Sequence, residues 1–239
     1  MSDPADTLER LYPFLHGTRR GAAPMNAALL ESVAQKAAHH LEVLRAFFAT
    51  QAQAVVDTAA TMAGVYRAGG RLFTMGNGGS SCDAAHLAVE FQHPVTAGRP
   101  ALTAIDLTRD TTMMTAVGND VGFAQVFRRQ LVALARKGDG LVGLSTSGNS
   151  ENLVRAFQKA REMGVKTIGL CGMSGGEMAR LGLDHCLVVE TDSIHRIQEC
   201  QVAVYHMLWD LVHTLLADDR GALGAAGEAE AGRGGGEGS

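Results

Sequence analysis

The stretch Leu72-Phe73-Thr74-Met75-Gly76-Asn77-Gly78-Gly79-Ser80-Ser81-Cys82-Asp83-Ala84-Ala85-His86 decides the fold. A short apolar run bounded by turn residues reads as a buried strand. The glycines that follow, and the helix-compatible residues after them, make the segment strand, tight turn, helix. Four more short apolar runs lie downstream, at Leu102–Ile105, Leu141–Leu144, Thr167–Leu170 and Cys186–Val189. Helical stretches separate most of them, and a last helix is expected from about Ser193 to Leu216. Strands alternating with helices imply a parallel sheet covered on both faces. Upstream, Leu29, Leu30, Val33, Ala37, Leu41, Leu44 and Phe47 approximate the spacing of a buried helical face from Met25 to Gln51. A second helix is expected from Ala52 to Arg67, stopped by Gly69-Gly70. The expectation is an α/β protein: a three-layer α/β/α sandwich on a five-stranded parallel sheet, preceded by a helical hairpin.

The ends differ from this body. Residues 1–24 carry Pro4, Pro13, Gly17, Gly21 and Pro24 and read as an irregular lead-in to a domain over 25–218. Residues 219–239 are nearly all Gly, Ala and Glu, a composition that buries too little surface to offset its ordering entropy, so a disordered tail is expected. The whole chain of 239 residues is 46% hydrophobic, with no apolar run near the roughly 20 residues of a membrane span. A net charge of −4 argues against a dedicated nucleic-acid binder, whose footprint is basic. Cys82, Cys171, Cys186 and Cys200 form no CxxC pair, and no basic-then-apolar leader opens the sequence. A reduced, cytoplasmic protein is expected.

Ligands of open parallel sheets bind beyond the carboxyl ends of the strands. Two such ends can hold an anion. At Gly76–Ser81 the glycines let backbone approach a ligand, and the next helix start offers unpaired N–H groups. It is not a Walker loop, since no Gly-Lys-Ser/Thr follows, and Ser81 stands where a dinucleotide fingerprint wants a third small Gly or Ala. Asp106, after the second strand, keeps a ribose-binding alternative open. The second end is Ser145-Thr146-Ser147-Gly148-Asn149-Ser150. Four hydroxyl residues in six positions exceed what an N-cap needs, which makes the loop a neutral cradle for a phosphate monoester.

His86 and Glu90 are four apart, hence on one helix face. Gln198 and His206 are eight apart, about 80° around a helix axis. Imidazole and carboxylate are zinc ligands, but such a pair is also an ordinary surface contact, and His206 amid Val204, Tyr205, Leu208 and Trp209 also fits a core histidine. From the residues alone both readings stand. His39 and His40 read as surface or interface residues, and Met113 and Met114 as core or subunit contacts.

Taken jointly, the Gly76–Glu90 segment, Val117-Gly118-Asn119-Asp120, Ser145–Ser150 and Arg196-Ile197-Gln198-Glu199 resemble the sugar isomerase (SIS) domain, in the form found in phosphoheptose isomerases. The resemblance runs from about Ala28 to Leu216. It implies aldose–ketose isomerisation of sedoheptulose 7-phosphate to D-glycero-D-manno-heptose 7-phosphate through an enediolate, for surface-polysaccharide precursors such as lipopolysaccharide heptose. It also implies zinc at His86, Glu90, Gln198 and His206, with Glu90 and His206 as the catalytic acid/base pair. Asn77, Gly78, Gly79, Ser80, Glu90, Asn119, Asp120, Ser145, Thr146, Ser147, Ser150 and Gln198 would contact the substrate. Family members assemble as homotetramers whose sites draw on neighbouring subunits. The same family holds non-catalytic members, a replication-initiator-binding tetramer among them, and a sugar-phosphate sensor is a further alternative. Retention of His206 argues for the enzyme.

Two departures bear on specificity. Where the family usually has a Gly-Arg-aromatic stretch after the glutamate, this chain has Phe91-Gln92-His93-Pro94-Val95, leaving Arg99 as the nearest basic residue. Gln201 stands where a histidine is common.

Overall fold

The computed structural model describes residues 22–218. The expected tail, and the lead-in up to residue 21, lie outside them. The chain divides into two compact units, one ending at Leu41 and the other beginning at Glu42; the sheet lies wholly in the second.

The first helix, α1, spans Ala22–Arg67 without interruption. This corrects the expected hairpin. Nothing between Gln51 and Ala52 breaks a helix, and the first glycine after the lead-in is Gly64, so no turn signal existed for the chain to reverse. The helix also begins within the expected lead-in. In the first unit, Met25, Leu29, Leu30, Val33 and Leu41 are all exposed, so this half of the apolar stripe is not core.

The second unit follows the expected alternation. It runs β1 (Leu72–Gly76), α2 (Gly79–Gln92), β2 (Ala104–Asp106), α3 (Thr111–Asp120), α4 (Val126–Leu134), β3 (Gly140–Ser145), α5 (Glu151–Glu162), β4 (Lys166–Gly172), β5 (His185–Val189) and α6 (Ile194–Asp218). All four strand pairings are parallel, in the order β2-β1-β3-β4-β5. β2 starts two residues later than expected, because Leu102 packs as a loop residue with its N–H on the Phe91 carbonyl.

Alternation along each strand sends side chains into two cores. Leu72, Val142, Leu144, Ile168 and Leu170 pack with α2, α6 and the second half of α1. Phe73, Met75, Leu141 and Cys171 pack with α3, α4 and α5. That is the three-layer sandwich. Its strands are near-continuously buried, as strands covered on both faces must be. Cys171 and Cys186 stand side by side on β4 and β5 as free thiols, their sulfurs 3.4 Å apart, although the sequence shows no cysteine pair.

The strand order reverses between β1 and β3, which makes the crevice beyond their carboxyl ends the topological switch point. Gly76 pairs with Leu144 there. The glycine turn after β1 and the serine loop after β3 therefore open side by side.

Candidate functional site

The two loops are tied to each other. Asn77 Nδ2 donates to Asn152 Oδ1 and Asn152 Nδ2 to Asn77 Oδ1, both at 2.9 Å, a reciprocal amide pair across the crevice. Asn152 lies in the first turn of α5 and is buried. Nothing in the sequence marked it, because its partner is 75 positions away.

The serine loop folds on itself. The Ser145 and Ser150 hydroxyls lie 3.1 Å apart, and the Gly148 N–H donates to Ser145 Oγ at 3.2 Å. The Asn149 N–H donates to Ser147 Oγ. Ser150 is the N-cap of α5, yet its hydroxyl caps nothing, so the hydroxyls exceed the helix's own needs, as expected. Gly148 has φ +65°, and a Cβ there would overlap the Gly175 carbonyl oxygen, so only glycine lets the next loop close over this one. Thr146 and Ser147 are part-exposed, and Ser80 is buried under the glycine turn with its N–H on the Asn77 carbonyl.

On α2, one turn separates His86 from Glu90, and His86 Nε2 lies 3.2 Å from Glu90 Oε1. α6 brings His206 beside them, its ring 5.1 Å from that of His86 and nearly perpendicular to it. One ligand atom from each of His86, Glu90 and His206 falls within 4.8 Å of the others. Two imidazoles and a carboxylate are a donor set that zinc takes, with a position left over. Burial and the neighbouring His86 hold the His206 imidazole below its usual range, against the pull of Glu90. The ring therefore stays neutral near pH 7 and can accept a proton. Burial likewise raises the Asp83 carboxyl, partly offset by His86. Burial, with Asp83 and Glu90, pushes the Tyr205 phenol up, so it stays protonated.

Gln198, on α6, lies against the start of α2: a Cβ on Gly79 would overlap its Nε2. The close approach is possible because residue 79 has no side chain. Gly78, the N-cap of α2, contributes no side-chain cap, and the turn's own carbonyls take the next amides, with the Ser80 N–H on Asn77 and the Ser81 N–H on Gly78. Asn119 and Asp120 end α3, exposed, with Asn119 Nδ2 donating to Asp120 Oδ1 at 2.8 Å. Among the described residues no bond ties them to the groups of α2 or α6.

Arg99 does not take the place of the missing basic residue after Glu90. Its guanidinium stacks 4.5 Å over the Trp209 ring and pairs with Asp210. The Trp209 indole N–H in turn donates to the Glu90 carbonyl at 2.8 Å. Gln201 is buried, and neither of its amide atoms has a partner among the described residues.

Comparison with known proteins places the family and the fold. The SIS domain family profile matches residues 37–172. A phosphoheptose isomerase of Desulfovibrio desulfuricans is 44% identical over 200 residues, covering 83% of this chain and 94% of that protein. The solved phosphoheptose isomerase of Neisseria gonorrhoeae superposes with a TM-score of 0.74 at 36% identity, over 78% of this chain and 99% of that one. That of Francisella tularensis gives 0.75 at 32%, over 77% and 98%. With the strand order, the paired loops and the His86–Glu90–His206 cluster all in hand, the chain belongs to the SIS-domain family, among its phosphoheptose isomerases.

Proposed function

We propose that the protein interconverts sedoheptulose 7-phosphate and D-glycero-D-manno-heptose 7-phosphate. The observation that carries this is the convergence of His86, Glu90 and His206, from two helices, beside a switch-point crevice rich in hydroxyls. A fold alone decides no chemistry; this donor set supports an acid/base reading of the site.

The 7-phosphate would sit on Ser145, Thr146, Ser147 and Ser150 with the N–H groups at the start of α5. No cation is needed there, in keeping with the acidic net charge. The sugar would then extend across Asn77, Gly78, Gly79 and Ser80 toward Glu90 and Gln198. Asn119 and Asp120 offer an amide and a carboxylate suited to sugar hydroxyls, since a carboxylate repels phosphate.

Glu90 takes the proton from carbon 1 of the ketose. The C–H electron pair becomes the carbon 1–carbon 2 double bond, and the carbonyl pair moves to the carbon 2 oxygen. His206, starting neutral, takes the proton of the carbon 1 hydroxyl and delivers one to the carbon 2 oxygen. Glu90 then returns its proton to carbon 2, which leaves the aldose. Each proton is conserved, and each such group contributes roughly 10²–10⁴-fold. His86, Glu90 and His206, with the Gln198 carbonyl as a fourth donor, would hold zinc, which when bound supplies Lewis-acid stabilisation of the developing oxyanion.

The exposed apolar side chains of α1 (Met25, Leu29, Leu30, Val33, Leu41) support assembly as a homotetramer. Among the described residues no helix is long and apolar enough to cross a membrane. A phosphorylated substrate and four free thiols suit a cytoplasmic enzyme of surface-polysaccharide precursor synthesis.

The test is turnover of sedoheptulose 7-phosphate by zinc-loaded protein, with Glu90→Gln and His206→Ala alongside. Turnover that falls at least about 100-fold in each variant is expected. A folded, zinc-loaded wild type without turnover would overturn the assignment and point to a binding module instead.

A further inference from the structure

His86 is 44% exposed at its side chain, and on its own helix its ring is bonded to Glu90. A second restraint comes from α6. The Tyr205 hydroxyl lies 2.8 Å from His86 Nδ1, across 119 positions of sequence. Tyr205 is fully buried, its ring 5.5 Å from that of His86 and 4.8 Å from that of His206, edge-on to both. The two nitrogens of His86 are thus divided. Nδ1 faces the tyrosine, and Nε2 faces Glu90 and the cluster.

The residue type matters here because a hydroxyl both donates and accepts. With the ring proton on Nε2, that N–H donates to Glu90 and the tyrosine O–H donates to Nδ1. With the ring proton on Nδ1, that N–H donates to the tyrosine oxygen, and the Nε2 lone pair is free for an electrophile. The contact survives either tautomer, so the ring keeps its orientation whether or not Nε2 is engaged. A phenylalanine would fill the same space and offer neither bond.

We propose that Tyr205 is a positioning residue of this site, holding His86 through Nδ1 so that the Nε2 lone pair is presented beside Glu90 and His206. The proposal rests on the reading of those three residues as the functional centre. Partners that orient a ligand's far nitrogen typically change metal affinity or activity by about 10–100-fold when removed.

The test is zinc affinity of the full chain, stripped of metal and titrated in competition with a chromophoric chelator, for wild type and Tyr205→Phe. A dissociation constant raised about tenfold or more in a variant with unchanged circular dichroism is expected. A change of less than about twofold would overturn the proposal, since ring packing alone is preserved in Tyr205→Phe. Should that variant fail to fold, Tyr205→Met, which also fills the space without a hydroxyl, is read by the same criterion. If the wild type takes up no zinc, the metal reading of the site fails, and Tyr205 is judged separately from the ring-nitrogen shifts of His86 by NMR. An Nδ1 signal displaced by the tyrosine bond in the wild type that moves to the unbonded position in Tyr205→Phe would uphold the positioning role; identical spectra would overturn it.

Discussion

Asn152 shows how far a single side chain reaches. Buried in the first turn of α5, it gives its amide to Asn77 and takes that residue's amide in return. The pair links the glycine turn to the first turn of the helix that follows the serine loop. Asn152→Ala removes both bonds and leaves Asn77, part-buried, without its partner. The expected cost is about 1–3 kcal/mol in urea unfolding, the penalty of an unsatisfied polar group. The Michaelis constant for the sugar phosphate is expected to rise severalfold, because both loops lose their mutual register. An unchanged unfolding midpoint would show the pair to be energetically idle. Asn152 was not legible in the sequence, and neither were Tyr205 or Trp209. Each acts through a partner 75 or 119 positions away, and no local pattern records such a partner. The residues that were legible, the glycine turn, the serine loop and the His86–Glu90 pair, carry their chemistry in adjacent or one-turn spacing.

Among the elements, short strands were read to within two residues, since each is an apolar run closed by turn residues on both sides. α1 was misread as two helices because amphipathic spacing marks a face and not an end; only breakers mark ends. The exit of α2 depends on α6 more than on its own sequence. The last carbonyls of a helix have no partner within it, and at Glu90 the Trp209 indole N–H supplies one. Arg99 covers that indole and pairs with Asp210, so the loop after α2 is fastened to α6 at the level of Glu90. Trp209→Phe removes the donor but keeps an aromatic surface under Arg99. The expected loss is about 0.5–1.5 kcal/mol from the hydrogen bond. For a unit of about 200 residues that corresponds to a fall of a few degrees in melting temperature. Turnover is expected to fall with little change in the Michaelis constant, because Glu90 is loosened while the serine loop is untouched. A variant with reduced stability and full turnover would limit Trp209 to packing.

For the molecule as a whole, the resting neutrality of its part-buried histidines sets the response to acid. His185 begins β5, with Nε2 2.7 Å from the Thr61 hydroxyl of α1. Burial lowers its pKa below the ordinary 6.5, and Lys166 acts in the same sense, while Asp184 and Asp57 pull the other way. His206 is lowered too, by burial first. A histidine with a lowered folded pKa binds fewer protons folded than unfolded, so stability rises with pH between the two values. The contribution is therefore complete above the unfolded pKa of about 6.5 and is lost as pH falls below it. Melting temperature is expected to be flat from pH 8 to about 6.5, then to decline on further acidification. At mildly acidic pH, before carboxylates begin to titrate, His185→Gln should decline less steeply than the wild type, because the amide can still accept from Thr61 but cannot be protonated. Parallel declines in the two proteins would show that His185 is not protonated differently on unfolding, and would move the acid response to His206 and the site itself.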